Sequence, residues 1–181
     1  MIRRCLLQMQ MEATSDAILK GQIWAETIDR LVGPVFKTNW DIFALCISIG
    51  IMHDQQIESD DMVSEGYVAE PRYVPHVVMG QTKNIALLGF MMQTALITTK
   101  HVNYNEDERL ELAFDENQKL PFNPIYFFTK FANYGVKKIS DVIEGKDGIE
   151  MLEALMVFLN SIYETGVEGI EDELLIDEID E

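Results

Sequence analysis

Residues 42–52, IFALCISIGIM, are apolar on nearly every face, so this segment can fold only where other residues surround it. As a helix its eleven residues rise about 16 Å at 1.5 Å each, roughly half the thickness of a bilayer core, which excludes a membrane span on length. A second run, NIALLGFMMQTALITT at residues 84–99, repeats the design, with Gly89 near its middle as Gly50 lies inside the first. Gln93 and three threonines make it a poor span as well. Two helices that are apolar nearly all round, each with an interior glycine, are expected at the centre of a helical bundle, where glycine lets backbones approach at a crossing. Just ahead of the first run, Thr38 can cap backbone N–H groups while Asp41, three residues on, stands where a capping-box acid reaches back.

The rest of the chain reads mostly as helix around that centre. In DAILKGQIWAETIDRLV, Ile18, Leu19, Ile23, Trp24, Ile28, Leu31 and Val32 recur at helical spacing up to a stop at Gly33-Pro34. Asn105, followed by three acids, caps a helix with Leu110, Leu112, Ala113 and Phe114 as its apolar face. Asn123 with Pro124 opens another, expected to close at Gly135; a short helix follows at residues 137–144 and stops at Gly145. A last helix carries Ile149, Leu152, Leu155, Met156, Leu159 and Ile162 on one face, with Gly166 as terminator. Pro71 and Pro75, beside alternating Val and Tyr, mark residues 55–81 as a long loop that can hold a short strand pair. The expected fold is mainly α: a single-domain bundle of six or seven helices over residues 1–163, with an acidic tail at 164–181.

Charge divides the chain unevenly. Net charge is −17, yet the first sixty residues contribute −3, the next sixty −4 and the remainder −10, and from Glu164 onward nine acids stand with no base. A duplex-binding protein presents Lys and Arg to phosphates, so the expectation is against direct nucleic-acid binding; Arg3-Arg4 and Lys137-Lys138 are the only basic doublets. The N-terminal CLLQMQM run is short and broken by glutamines, which argues against a signal peptide. Cys5 and Cys46 then read as reduced thiols of a cytoplasmic protein.

Motifs for common chemistries are missing from the sequence: it holds no GxxxxGK[ST], GxGxxG, HExxH or GxSxG. His53, His76 and His101 have no second ligand at metal spacing. Tyr126 and Lys130 match a YxxxK spacing, but without alternating βα units they read as an (i, i+4) helix pair. The ten methionines, Met91-Met92 among them, read as core filling rather than a groove. Phe122, Tyr126, Phe127, Phe128 and Phe131 crowd one helix on more than one face; burial in the bundle core is the favoured reading, and any of them left at the surface, uncovered by the loop around Pro71, would mark an interface. In the tail, Ile170, Leu174, Leu175, Ile176 and Ile179 among the acids can form an acidic amphipathic segment.

Phe36-x-Thr38-x-x-Asp41-x-Phe43, the apolar helix reaching Gly50, and Phe131-Ala132-Asn133-Tyr134-Gly135-Val136 ahead of a helix together resemble small bacterial accessory proteins associated with DNA phosphorothioation. In those proteins an aromatic-x-Thr segment leads into an apolar helix ending in Gly, and a Tyr-Ala-Asn-Gly-Gly motif precedes the last helices. Here Phe131 stands for the motif tyrosine and Tyr134 for its first glycine; the similarity runs over roughly residues 35–160. The resemblance implies a cytoplasmic accessory protein of a bacterial anti-phage or DNA-modification system, with no catalytic residues to carry over.

Taken with that resemblance, the expected function is that of a non-enzymatic accessory subunit acting through protein–protein binding, without cofactor or metal and with homo-oligomers open. Its candidate partner-binding residues are Tyr126, Phe127 and Lys130 on the helix after Asn123, and Glu171, Asp172, Glu173, Leu174, Leu175, Asp177 and Glu178 in the tail. The alternative is an acidic nucleic-acid mimic that inhibits a DNA-binding protein. An enzyme would need a concave polar site around His53 or His101.

Overall fold

The computed structural model describes residues 11–67, 70–115 and 119–174, with backbone alone for 165–174. In chain order the elements are β1 (Ala17–Leu19), α1 (Gln22–Leu31), α2 (Asn39–Met52), β2 (Arg72–Val74), α3 (His76–Met79), α4 (Thr82–Thr98), α5 (Glu106–Phe114), α6 (Pro124–Ile143) and α7 (Gly148–Leu174). The fold is mainly α, as the spacing predicts, and no helix among the described residues is long and apolar enough to cross a membrane. The chain divides into two compact units within α6, after Lys137.

The first unit is organised by α2. Its start is fixed as expected: Asp41 accepts from the Thr38 and Lys37 backbone N–H groups at 2.8 and 3.1 Å and from the Thr38 hydroxyl at 3.0 Å. Ile42, Phe43, Cys46, Ile47 and Ile49 are buried, as are Leu88, Met91 and Met92 of α4. The α2 run is thus core up to its exposed last residue, Met52, whereas α4, expected at the centre as well, buries only one side and leaves Leu87, Phe90 and Ile97 exposed. Burial pushes the Cys46 thiol well above its ordinary range. Only the thiolate is nucleophilic, so Cys46 is inert at neutral pH.

Gly50 and Gly135 make the closest crossing. A Cβ on Gly50 would overlap the Phe131 backbone, and one on Gly135 would overlap the backbone of Cys46. The order of these contacts, 46 with 135 and 50 with 131, runs α2 and α6 antiparallel. This geometry corrects the sequence reading of α6: Gly135 does not end a helix but lies inside one continuous helix to Ile143. The glycine is there for closeness, not for a left-handed turn.

Three further expectations change. Ile18 and Leu19 lie on a strand and not on a helix, because Gly21 at φ 96° interrupts the chain before α1 and its backbone runs against the Met62 carbonyl. The strand pair is therefore not internal to the 55–81 loop: β2 pairs antiparallel with β1, Ile18 opposite Tyr73, with Ala17, Leu19 and Val74 buried beneath. On α5, Leu112 and Ala113 are buried while Leu110 and Phe114 are exposed, since the Ala113 side faces α4, where Gln93 donates to the Ala113 carbonyl at 3.0 Å.

In the second unit, Lys146 donates to the Val142 carbonyl at 2.9 Å at the end of α6, and Gly145 takes the positive φ of a helix stop. Helix α7 does not stop at Gly166. It runs on through Gly166 and Gly169 to Leu174, although each interior glycine costs about 1 kcal/mol. Its buried residues are Met151 and Leu155, whereas Ile149, Leu152 and Met156, expected on the buried face, are exposed. The burial stripe is rotated by roughly a quarter turn from the one the spacing suggests.

Candidate functional site

Asn123 fixes the head of α6: its side chain accepts from the Ile125 and Tyr126 N–H groups at 2.9 and 3.0 Å, which is the N-cap the sequence predicts, with Pro124 at the first helical position where no donor is needed. From this start, Ile125, Phe127, Phe128 and Phe131 turn inward and are buried, and Tyr126 is left 52% exposed. Phe127 lies against Phe122, centroids 5.0 Å apart, and edge-on to Phe131 at 5.1 Å. Tilted and edge-to-face pairs of this kind add about 0.5–1.5 kcal/mol beyond the area they bury.

Opposite α6, residues 57–59 are held by Asn133. This residue is itself buried; its amide oxygen accepts from the Trp24 indole at 2.8 Å and its nitrogen donates to the Ile57 carbonyl at 3.0 Å. The Ile57 N–H in turn donates to the Lys130 carbonyl at 3.0 Å. Pinned in this way, the segment delivers Glu58 to the face of α6, where the Tyr126 hydroxyl donates to one carboxylate oxygen at 2.7 Å and Lys130 pairs with the other at 3.3 Å. Lys130 also stands 5.4 Å from the centre of the Tyr126 ring, so the YxxxK pair is the (i, i+4) contact expected of a helix.

Beside this cluster opens a cavity of about 400 Å³ lined by Phe122, Tyr126, Phe127, Lys130, Tyr104 and His101, together with Val102, Asn103 and Asn123. Its size falls at the lower end for ligand pockets. His101 is anchored, its Nε2–H donating to the Asp54 backbone carbonyl at 3.0 Å, with its ring edge-on to Phe131. Asp54 adopts φ 48° and accepts from the Lys100 N–H at 3.2 Å, tying the end of α2 to the connection after α4.

The hydrogen bond from Tyr126, and after it Lys130, lowers the pKa of Glu58, and the Glu58 carboxylate raises that of the Tyr126 phenol. Both shifts move away from neutrality. By linkage, the depressed Glu58 stabilises the fold above the ordinary carboxylate range and loses that contribution as pH falls through its folded pKa. The raised Tyr126 contributes below the ordinary phenol range and loses it as pH rises through its own. The clasp is closed across the neutral window between them. Among the described residues no group of three or more His, Cys, Asp and Glu could hold a metal ion.

The structure therefore brings Tyr126, Phe127 and Lys130 together at one cavity, Phe127 as a buried wall and Tyr126 as an exposed rim. Glu58, Asn133, Tyr104 and His101 join them, which sequence spacing alone does not reveal: Glu58 is 68 residues from Tyr126. His53 caps α2 away from this set, its ring 5.6 Å from Tyr134. Glu171, Asp172, Glu173 and Leu174 lie on the backbone of the last turn of α7. Leu175, Asp177 and Glu178 fall outside the described residues. Compared with protein-family models, curated proteins and solved structures, the chain matches none.

Proposed function

We propose that this protein is a non-enzymatic interaction subunit that docks a protein partner at the head of α6, seating an apolar or aromatic side chain of the partner in the Phe122/Phe127 cavity. The observation that carries this reading is an aromatic pocket lined by Phe122, Phe127, Tyr126 and Lys130, the last two already paired with Glu58. Pre-paired polar groups cost little to bury beneath a partner, and tyrosine at the rim of a pocket is a common binding hot spot. The net charge of −17 favours a basic partner and speeds its approach. That the partner belongs to a bacterial DNA-modification or anti-phage complex rests on the resemblance of the segments around Thr38 and Asn133.

The test is co-purification of the tagged full chain from its native host, followed by affinity measurement with the captured protein. Replacing Phe122 and Tyr126 together by alanine should weaken binding by about thirty-fold, the scale of a 2 kcal/mol hot spot. Unchanged affinity in a variant of unchanged melting temperature would reject the pocket. A second reading, an acidic mimic of nucleic acid, draws on the charge of the C-terminal third; it requires the captured protein to bind DNA and to lose it in competition with this chain.

A further inference from the structure

Helix α7 presents a second surface, separate from the cavity. Ile149, Leu152, Met156 and Tyr163 are 74%, 37%, 64% and 72% exposed. Their spacing of three, four and seven residues places them within one narrow stripe of the helix, where position 160 is an asparagine. From Ile149 to Tyr163 the stripe runs about 21 Å, the length of two heptads of a partner helix. It is distinct from the buried side of α7, where Met151 and Leu155 lie.

Charge narrows the occupant. Glu150, Glu153 and Glu164 are exposed and follow one edge of the stripe. Beyond Lys146 the chain holds twelve acids and no lysine or arginine. A second copy laid on this face would set glutamate against glutamate near both ends of the stripe, where Glu150, Glu153 and Glu164 stand, which is destabilising. An anionic surface would be repelled likewise. We infer that the exposed stripe of α7 is a docking face for a basic amphipathic helix, one whose aliphatic residues at i, i+3 and i+7 meet Ile149, Leu152, Met156 and Tyr163 while its lysines and arginines meet the glutamate edge. Helix-on-helix recognition of this kind takes its affinity from the apolar anchors and its orientation and speed from the charges.

The experiment uses the full chain and two labelled synthetic peptides of identical leucine and lysine composition: one with leucines at helical spacing, the other shuffled so that no stripe forms. Fluorescence anisotropy at moderate salt is expected to show the amphipathic peptide binding at least about ten-fold more tightly than its shuffled isomer, a preference that a few apolar anchors account for. Ile149→Ser, Met156→Ser and Tyr163→Ser combined should abolish that preference. All three side chains are exposed, so the melting temperature should hold, and a helix with Glu150→Gln, Glu153→Gln and Glu164→Gln should bind both peptides more weakly and with a shallower salt dependence. Equal binding of the two peptides would reduce the face to unspecific charge attraction and overturn the inference. So would a wild-type dimer in sedimentation that the serine variant converts to monomer, because the occupant would then be a second copy. The Phe122/Tyr126 variant should bind the amphipathic peptide as wild type does, so this inference and the pocket stand or fall separately.

Discussion

Replacing Gly135 by alanine is expected to lower the stability of the protein by about 2 kcal/mol, a fall in melting temperature of roughly 4–8 °C for a chain of this size. Helix propensity alone predicts the opposite sign, since alanine is favoured over glycine by about 1 kcal/mol in a helix interior. The crossing decides the matter. A methyl group at Gly135 would overlap backbone atoms of Cys46, which cannot rotate away as a flexible side chain would, and overpacking of this sort costs up to about 3 kcal/mol. Gly50→Ala meets the Phe131 backbone in the same way. Because both changes force the same two helices apart, the double variant should lose less than the sum of the two. Thermal melts of the three variants check this, and an unchanged or raised melting temperature for Gly135→Ala would mean that α2 and α6 are not in close contact.

The second large effect concerns Asn133. Leucine shares its branched skeleton but has bulkier methyl ends and none of its polarity, so Asn133→Leu would leave the buried Trp24 indole without its acceptor and the Ile57 carbonyl without its donor. Each buried unpaired group costs about 1–3 kcal/mol, and a loss of about 3 kcal/mol is expected by urea denaturation. Trp24→Phe should recover part of it, because it removes the orphaned N–H; absence of coupling in that double-mutant cycle would show that the indole finds another partner. Loss of Asn133 should also release residues 57–59, and with them the Glu58 clasp on Tyr126. The core and the candidate site are thus joined through a single side chain.

What could be read from the residue order follows the range of each interaction. The capping box at Thr38 and Asp41, the Asn105 cap and the Asn123–Pro124 start all act within four residues, and each stands where local chemistry places it. The first apolar run is equally legible, since all but its last residue lies inside or nearly so, but the second is not: α4 has no polar face and still leaves Leu87, Phe90 and Ile97 exposed, because only its tertiary neighbours decide which side is covered. Gly135 misleads for the opposite reason: glycine is favoured both after a helix and at a tight crossing, and only the presence of Cys46 at that point decides between them. Ile18 and Leu19 fit a helical period by number, yet their partners are Tyr73 and Arg72, more than fifty residues away.

The candidate site divides along the same line. Tyr126, Phe127 and Lys130 stood out because aromatic residues crowd more than one face of one helix; most of that set is buried, as the spacing favours, and Tyr126 alone is left clearly exposed. Glu58 could not be found in this way. It sits in an acidic stretch where Asp60 and Asp61 look equivalent, and what selects it is the attachment of the Ile57 backbone on one side to Asn133 and on the other to Lys130. Segments that look like solvated loop in sequence can therefore supply the polar half of a site whose aromatic half is helical.

The central claim, that the head of α6 receives a protein partner, is tested most directly by hydrogen–deuterium exchange of the full chain with and without the captured partner. Slowed exchange at residues 101–104 and 122–130 on binding is the predicted result, with α2 unchanged. Protection confined to residues 148–164, or spread evenly with no focus at the head of α6, would contradict it.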